Sequence, residues 1–252
     1  MSEETEDQRW ERLSRDRIHR PLPKRFYKSV SVTDQLGITL DGRNVKTPLK
    51  AALVLPTRAL AEAVAAEWDT QVDVIDPHAM QLTKLANTAI DRGISERSKI
   101  AAEILEFAGS DMVSYRAESP AGLVQRQTTH WDPIIAWAKA DLNVDFATVD
   151  TITHKRQPLA VLQALEAHIK SLDQFSFVVV HNLTTLTGSA LLAAMTAAGK
   201  IPTDAAWLAA NVDEDWQIET WGEDEEAAAR RAGRLNEFSA CVKFVNLAHN
   251  RP

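Results

Sequence analysis

A chain of 252 residues is long enough to bury a real core and to form one large domain or two ordinary ones. Its apolar fraction of 45% and charged fraction of 25% are those of a soluble globular protein. The net charge of −7, from 28 basic against 35 acidic residues, lacks the basic footprint of a nucleic-acid binder. The single cysteine, Cys241, excludes an internal disulfide and a cysteine-based zinc site, which fits a reducing compartment.

Residues 1–20 carry acids from the third position on and show no apolar periodicity, so they read as a mobile or weakly helical arm. They have neither the basic start and apolar core of a secretory signal nor the acid-free character of a transit peptide, and the simplest reading is a bacterial cytoplasm, or a matrix-like compartment after processing. The longest apolar run, Ala190 to Ala198, is too short to span a bilayer.

After Pro21 and Pro23, the aromatic and β-branched content of Arg25 to Val32 favours a strand. Ile38 to Leu40 is a second strand, Asp41-Gly42 a type I′ turn and Arg43 to Thr47 the returning strand, with Ala52 to Leu55 a further apolar piece. Thr57 caps a helix in which Leu60, Val64 and Trp68 recur at four-residue spacing, and which covers this small antiparallel sheet. Met80, Leu82, Leu85 and Ile90 line the next segment, which ends near Gly93. A domain boundary is placed here, giving an α+β unit over 21–90.

From Ser95 onward helical patterns dominate, so 91–252 is expected to be an all-α orthogonal bundle. Helices are expected from Ser95, from Trp131 with Pro133 in the first turn, after Pro158, over Gly188 to Ala198, over Thr203 to Trp221 and over Glu223 to Ala248. The run Phe175 to Val180 has strand propensity but lies among helical signals, and reads as a buried helix. In the last helix the acidic first turn suits the helix dipole, and Leu235, Phe238, Val242 and Val245 form the buried stripe.

Catalytic and ligand motifs are missing. No Gly-rich phosphate loop or nucleophile elbow occurs, and the seven histidines never fall at metal-ligand spacing. No cofactor and no metal are expected. His130-Trp131-Asp132-Pro133 reads as a helix cap, Cys241 as core, and Gln125 and Arg126 as a polar helix end.

The unusual stretch is Asn211 to Arg231, with two tryptophans and eight acids around one glycine. On a continuous helix Trp207, Asn211, Glu214, Ile218 and Trp221 form a stripe that is apolar apart from Asn211 and an acid in its middle. Such an acid is either paired with a nearby Arg or Lys or belongs to a binding site. Trp216 shares a neighbouring face with Asp213, Gln217 and Thr220, so one face packs inward and the other is free to meet a partner. Glu223 to Glu226 serve the last helix, where Glu226 and Arg230 are spaced to pair. An alternative is an enzyme of unfamiliar type using paired acids such as Glu214 and Glu219, which requires both carboxylates in one pocket and at least one raised pKa.

RFYKSV, LDGRNVKTP, AEAVAAEWDTQ, MQLTKLANTAID, HWDPIIAWA and WQIETWG, in that order, resemble the family of assembly chaperones that serve the α subunit of the F1 sector of ATP synthase. The likeness runs from about Lys24 to Ala248 and points to a bacterial member. It implies a small α+β domain followed by a helical domain, and a chaperone that shields the β-contacting surface of the free α subunit until assembly. It implies no ATP, no small-molecule substrate, no nucleic acid and no membrane insertion. An acid just before the family's Q-x-x-x-W-G motif matters for function, which carries onto Asp213, Glu214 and Asp215, and the client-binding set is expected to be these three with Trp216, Gln217 and Trp221. Trp68, in the EWD motif, is expected to be structural support.

Overall fold

The computed structural model describes residues 22–149 and 156–251, so the expected arm over 1–20 lies outside the described residues. Three strands, β1 (Val30–Val32), β2 (Ile38–Leu40) and β3 (Arg43–Asn44), form an antiparallel sheet in the order β1-β2-β3, with Val30 opposite Leu40 and Leu40 opposite Arg43. Asp41 and Gly42 have φ of 48° and 78°, the positive pair that a type I′ hairpin needs. The Asp41 carboxylate accepts from the Ser29 amide and hydroxyl, both at 2.9 Å, and from the Lys28 amide, and these bonds hold its pKa below the ordinary value.

The expected strands are shorter than their β-propensity suggested. Residues before β1 pair with the far side of the next helix instead, Arg25 N–H donating to Asp73 O and Lys24 bridging Val74. Likewise Lys46 to Ala52 and Gly37 to Val54 are isolated bridges, so Ala52 to Leu55 adds pairings without a full strand.

Among the described residues ten α-helices follow: α1 (Arg58–Asp69), α2 (Gln81–Asp91), α3 (Arg97–Gly109), α4 (Ala121–Asp141), α5 (Leu159–Ser171), α6 (Gln174–Thr187), α7 (Ala190–Ala197), α8 (Thr203–Ala210), α9 (Val212–Trp221) and α10 (Glu225–Ala248). Thr57 Oγ1 accepts from Leu60 N–H at the start of α1, and the same hydroxyl donates to Leu247 O in α10 at 2.7 Å. Glu67 turns away from its own helix to accept from the Leu82 and Thr83 amides at 2.7 Å, capping α2. Trp68 packs edge-on against Tyr27 at 5.9 Å, and the Tyr27 hydroxyl donates to Trp68 O, so the EWD stretch ties sheet and helices together.

The core centres on the α6–α7 pair. Phe175 to Val180 are all buried within α6, which packs on α2, α3, α7 and α10. Burial on every side suits apolar residues at every helical position, which is why β-branched content here does not make a strand. The buried cluster runs without interruption from Ile38, Leu53 and Leu60 to Phe244 and Val245, and α2 joins the sheet side to α6 and α10.

Three expectations need correction. α4 begins at Ala121, so Pro133 is inside the helix and His130 to Pro133 is no cap. Pro133 stands on the exposed side, while its neighbours Trp131 and Ile134 are fully buried, and their burial outweighs the lost backbone bond. The helix expected over Thr203 to Trp221 breaks at Asn211, whose side chain donates to Trp207 O at 2.7 Å. Leu235 is 39% exposed, and the buried stripe of α10 consists of Phe238, Cys241, Val242, Phe244 and Val245. Among the described residues no helix is long and apolar enough to cross a membrane.

Candidate functional site

Helix α9 buries only Val212, so its position depends on other contacts. On one side it meets the segment before α4 and the first turns of α4, and three ties close this seam. Gln127 Nε2 donates to Asp213 Oδ1 at 2.7 Å, while Gln127 Oε1 accepts from Ala117 N–H at 2.8 Å. Arg126 donates through both terminal nitrogens to Glu219 at 2.8 Å, a bidentate pair, with its guanidinium 5.4 Å from the Trp216 ring centre. The Trp216 indole lies against Gly122, where an added Cβ would stand 2.8 Å from the ring.

Beside this seam is an open groove of about 680 Å³. Tyr115 to Pro120, Leu123 and Gln127 make one wall, and Asp213, Trp216, Gln217 and Trp221 make the other. Trp221 is 77% exposed, and Gln217 is exposed with no side-chain hydrogen bond among the described residues. Arg116, also in the wall, pairs with Asp132 at 2.9 Å and donates to Val113 O, but its Nη2 is buried without an acceptor among the described residues. Burial holds the Arg116 pKa below the usual arginine value despite Asp132.

The break at Asn211 changes what the acids do. Trp207 is half-buried and packs on Phe238 at 5.4 Å, whereas Trp221 is exposed, so the stripe expected to join them does not exist. Glu214 and Asp215 turn to α10, pairing with Arg234 and Arg231 at 2.5 Å each. Of the three acids before the motif, only Asp213 borders the groove. Six residues expected to act together therefore divide into a groove set, Asp213, Trp216, Gln217 and Trp221, and a pair buttressed by the last helix.

The geometry required of a paired-acid site is not met. Glu219 is exposed and its hydrogen bond with Arg126 holds its pKa below the ordinary value, the opposite of a raised catalytic acid. Glu214 and Glu219 do not line the groove. Among the described residues no group of three or more His, Cys, Asp or Glu could hold a metal ion. The Cys241 thiol is buried in the core, which pushes its pKa up to about 12.

Sequence reasoning set aside Arg126 and did not consider Gly122, Gln127 or the Tyr115 to Pro120 wall. A signal for part of this was present, since Gly122 and Arg126 lie four residues apart and share a helix face.

A family model described as ATP12 chaperone protein matches residues 24–139. The match includes the Tyr115 to Gln127 wall and stops before α9. The solved structure of Atp12 from Paracoccus denitrificans is 38% identical, with a TM-score of 0.83 over 90% of this chain and 98% of that one. That of Atu1473, a putative chaperone from Agrobacterium tumefaciens, is 41% identical, with a TM-score of 0.82 over 92% and 89% of the two chains. The mitochondrial protein atp12 of Schizosaccharomyces pombe is 25% identical over 227 residues, 82% of this chain and 78% of that protein.

Proposed function

Since the chain belongs to the ATP12 family of chaperones, we propose that it is an ATP synthase assembly chaperone that holds the free α subunit of the F1 sector, and that the groove along α9 is where the client docks. It works in the bacterial cytoplasm and catalyses no reaction. The observation that carries this reading is the pairing of an exposed Trp221 and an uncommitted Gln217 at the groove lip with a helix whose other polar groups are already tied down. A rigid aromatic ring beside a groove is the usual anchor of a protein interface, and a pre-positioned helix lowers the ordering cost of binding. Asp213 and Trp216 set the groove's shape through Gln127 and Gly122. Glu214 and Asp215 set the angle of α9 through Arg234 and Arg231.

The test is capture of the α subunit from extract by the tagged full-length chain. Wild type is expected to recover α without β, and Trp221→Ala with Gln217→Ala to lose at least tenfold in recovery at an unchanged melting temperature. Glu214→Lys, which sets an ammonium against Arg234, is expected to lose capture while remaining folded. Recovery of no ATP synthase subunit by wild type would sink the client assignment, and normal capture by the groove variants would sink the groove.

A further inference from the structure

A second hollow, of about 520 Å³, lies on the sheet side and takes no part in the groove. Phe26, Tyr27, Leu40 and Trp68 line it with apolar surface, and Arg43 and Lys46 stand on its rim. Phe26 is 74% exposed although its ring meets Tyr27 edge-on at 5.3 Å, so a large aromatic is held at the mouth of a hollow instead of being covered. The Trp68 indole N–H in the wall is buried and meets no acceptor among the described residues, a donor stripped of water with nothing in the chain to bond.

The lining of this hollow carries two basic side chains, Arg43 and Lys46, and one acid, Asp41, in a chain whose net charge is −7. Asp69, next to Trp68, is paired with Arg25. Arg43 and Lys46 are exposed and form no salt bridge among the described residues. The one acid of the lining, Asp41, spends its carboxylate on Lys28 and Ser29. Two free cations over an aromatic floor complement a ligand that brings a carboxylate and an apolar side chain together.

We propose that this hollow is a second docking site, for an acidic polypeptide segment in which an aromatic or long aliphatic side chain enters among Phe26, Tyr27 and Trp68 while a flanking Asp or Glu pairs with Arg43 and Lys46. The ligand is a peptide rather than a nucleic acid. Two free cations suffice for one or two carboxylates, and the acidic remainder of the chain opposes the close approach of a polyanion. This site stands apart from the α9 groove, so it survives or fails independently of the client assignment.

The test pans a random dodecapeptide display library against the full-length chain carrying Trp221→Ala with Gln217→Ala, which removes the anchors proposed for the groove, and measures recovered peptides by fluorescence anisotropy. The expected peptides carry an aromatic or long aliphatic residue next to Asp or Glu, bind at least tenfold more weakly when those acids become Asn or Gln, and bind at least tenfold more weakly to Arg43→Glu with Lys46→Glu. Phe26→Ala, at an exposed position, is expected to weaken them likewise without changing the melting temperature. Three results overturn the proposal: no acidic enrichment, undiminished binding to the charge-reversed variant, or a single-stranded oligonucleotide that outcompetes the peptides at physiological salt.

Discussion

Helices α7 and α9 are of similar length and are attached to the protein in opposite ways. All eight residues of α7 are buried, several of them with no exposure at all, between α3, α4, α6, α8 and α10. Helix α9 buries one residue of ten and is held by the Gln127, Arg126, Arg231 and Arg234 contacts. Apolar burial is non-directional and little affected by salt, whereas charge-assisted bonds are directional and screened. The first kind of attachment fixes a scaffold, and the second sets the orientation of an element that can still shift at small cost.

The comparison breaks first if α7 proves replaceable. Leu192→Ala removes a fully buried side chain and is expected to cost about 2–5 kcal/mol in urea unfolding; a loss below about 1 kcal/mol would mean that the scaffold is not close-packed.

Next in size is Asp111, which ties the first turn of α7 to the turn after α3. Asp111 is fully buried and accepts from Leu191 N–H at 3.1 Å and Val113 N–H at 3.2 Å, yet desolvation outweighs these bonds and lifts its pKa from 3.8 to about 6. The fold thus favours the protonated acid more than the unfolded chain does. Its contribution is complete below about pH 4 and is lost as pH rises through 6, a change on the order of 3 kcal/mol. Carbon-detected NMR of this carboxyl is expected to titrate near 6, and a midpoint at or below 4 contradicts the account.

Smaller still is Gly122→Ala. The new methyl meets the Trp216 ring at 2.8 Å, and the seam is expected to open at a cost of about 1–3 kcal/mol with loss of client capture. Adding Trp216→Ala to it should recover part of the stability, as a double-mutant cycle would show; strict additivity would mean that ring and glycine do not meet.

The least change in stability is expected from Arg126→Gln, which removes an exposed pair with Glu219. Its urea midpoint should stay where it is. Amide exchange in α9 should quicken while α7 stays protected, and 0.5 M salt should reproduce part of that effect in wild type.

How far the sequence reached follows the same division. The Asp41-Gly42 hairpin, the Thr57 cap, the Leu60–Val64 face and the Phe238–Val245 stripe were legible because each rests on local chemistry repeated at a fixed period. The buried helix over Phe175 to Val180 was legible from its neighbours more than from itself. The break at Asn211 was not, since a single Asn in a helical pattern costs little and the decisive contacts, Trp207 on Phe238 and Trp131 Nε1 on Ala209 O, come from distant parts of the chain. With that break hidden, the acids and tryptophans of α8 and α9 projected onto one stripe that does not exist. The groove's other wall was unreadable for a related reason. Gln127 looks like an ordinary polar helix residue until Asp213 arrives from 86 positions away.

The hydroxyl of Thr57 donates to Leu247 O across 190 positions of sequence, and α10 packs on α1, α2, α6, α7 and α8. A ribosome building this chain must pass Leu247 before α1 can be sealed at its start. Until then Phe238, Phe244 and Val245 are missing from the middle of the molecule, and the apolar faces they cover stand open to water. A protein proposed to shelter another's unfinished surface thus passes through a vulnerable stage of its own during synthesis, one that ends only once α10 has been made.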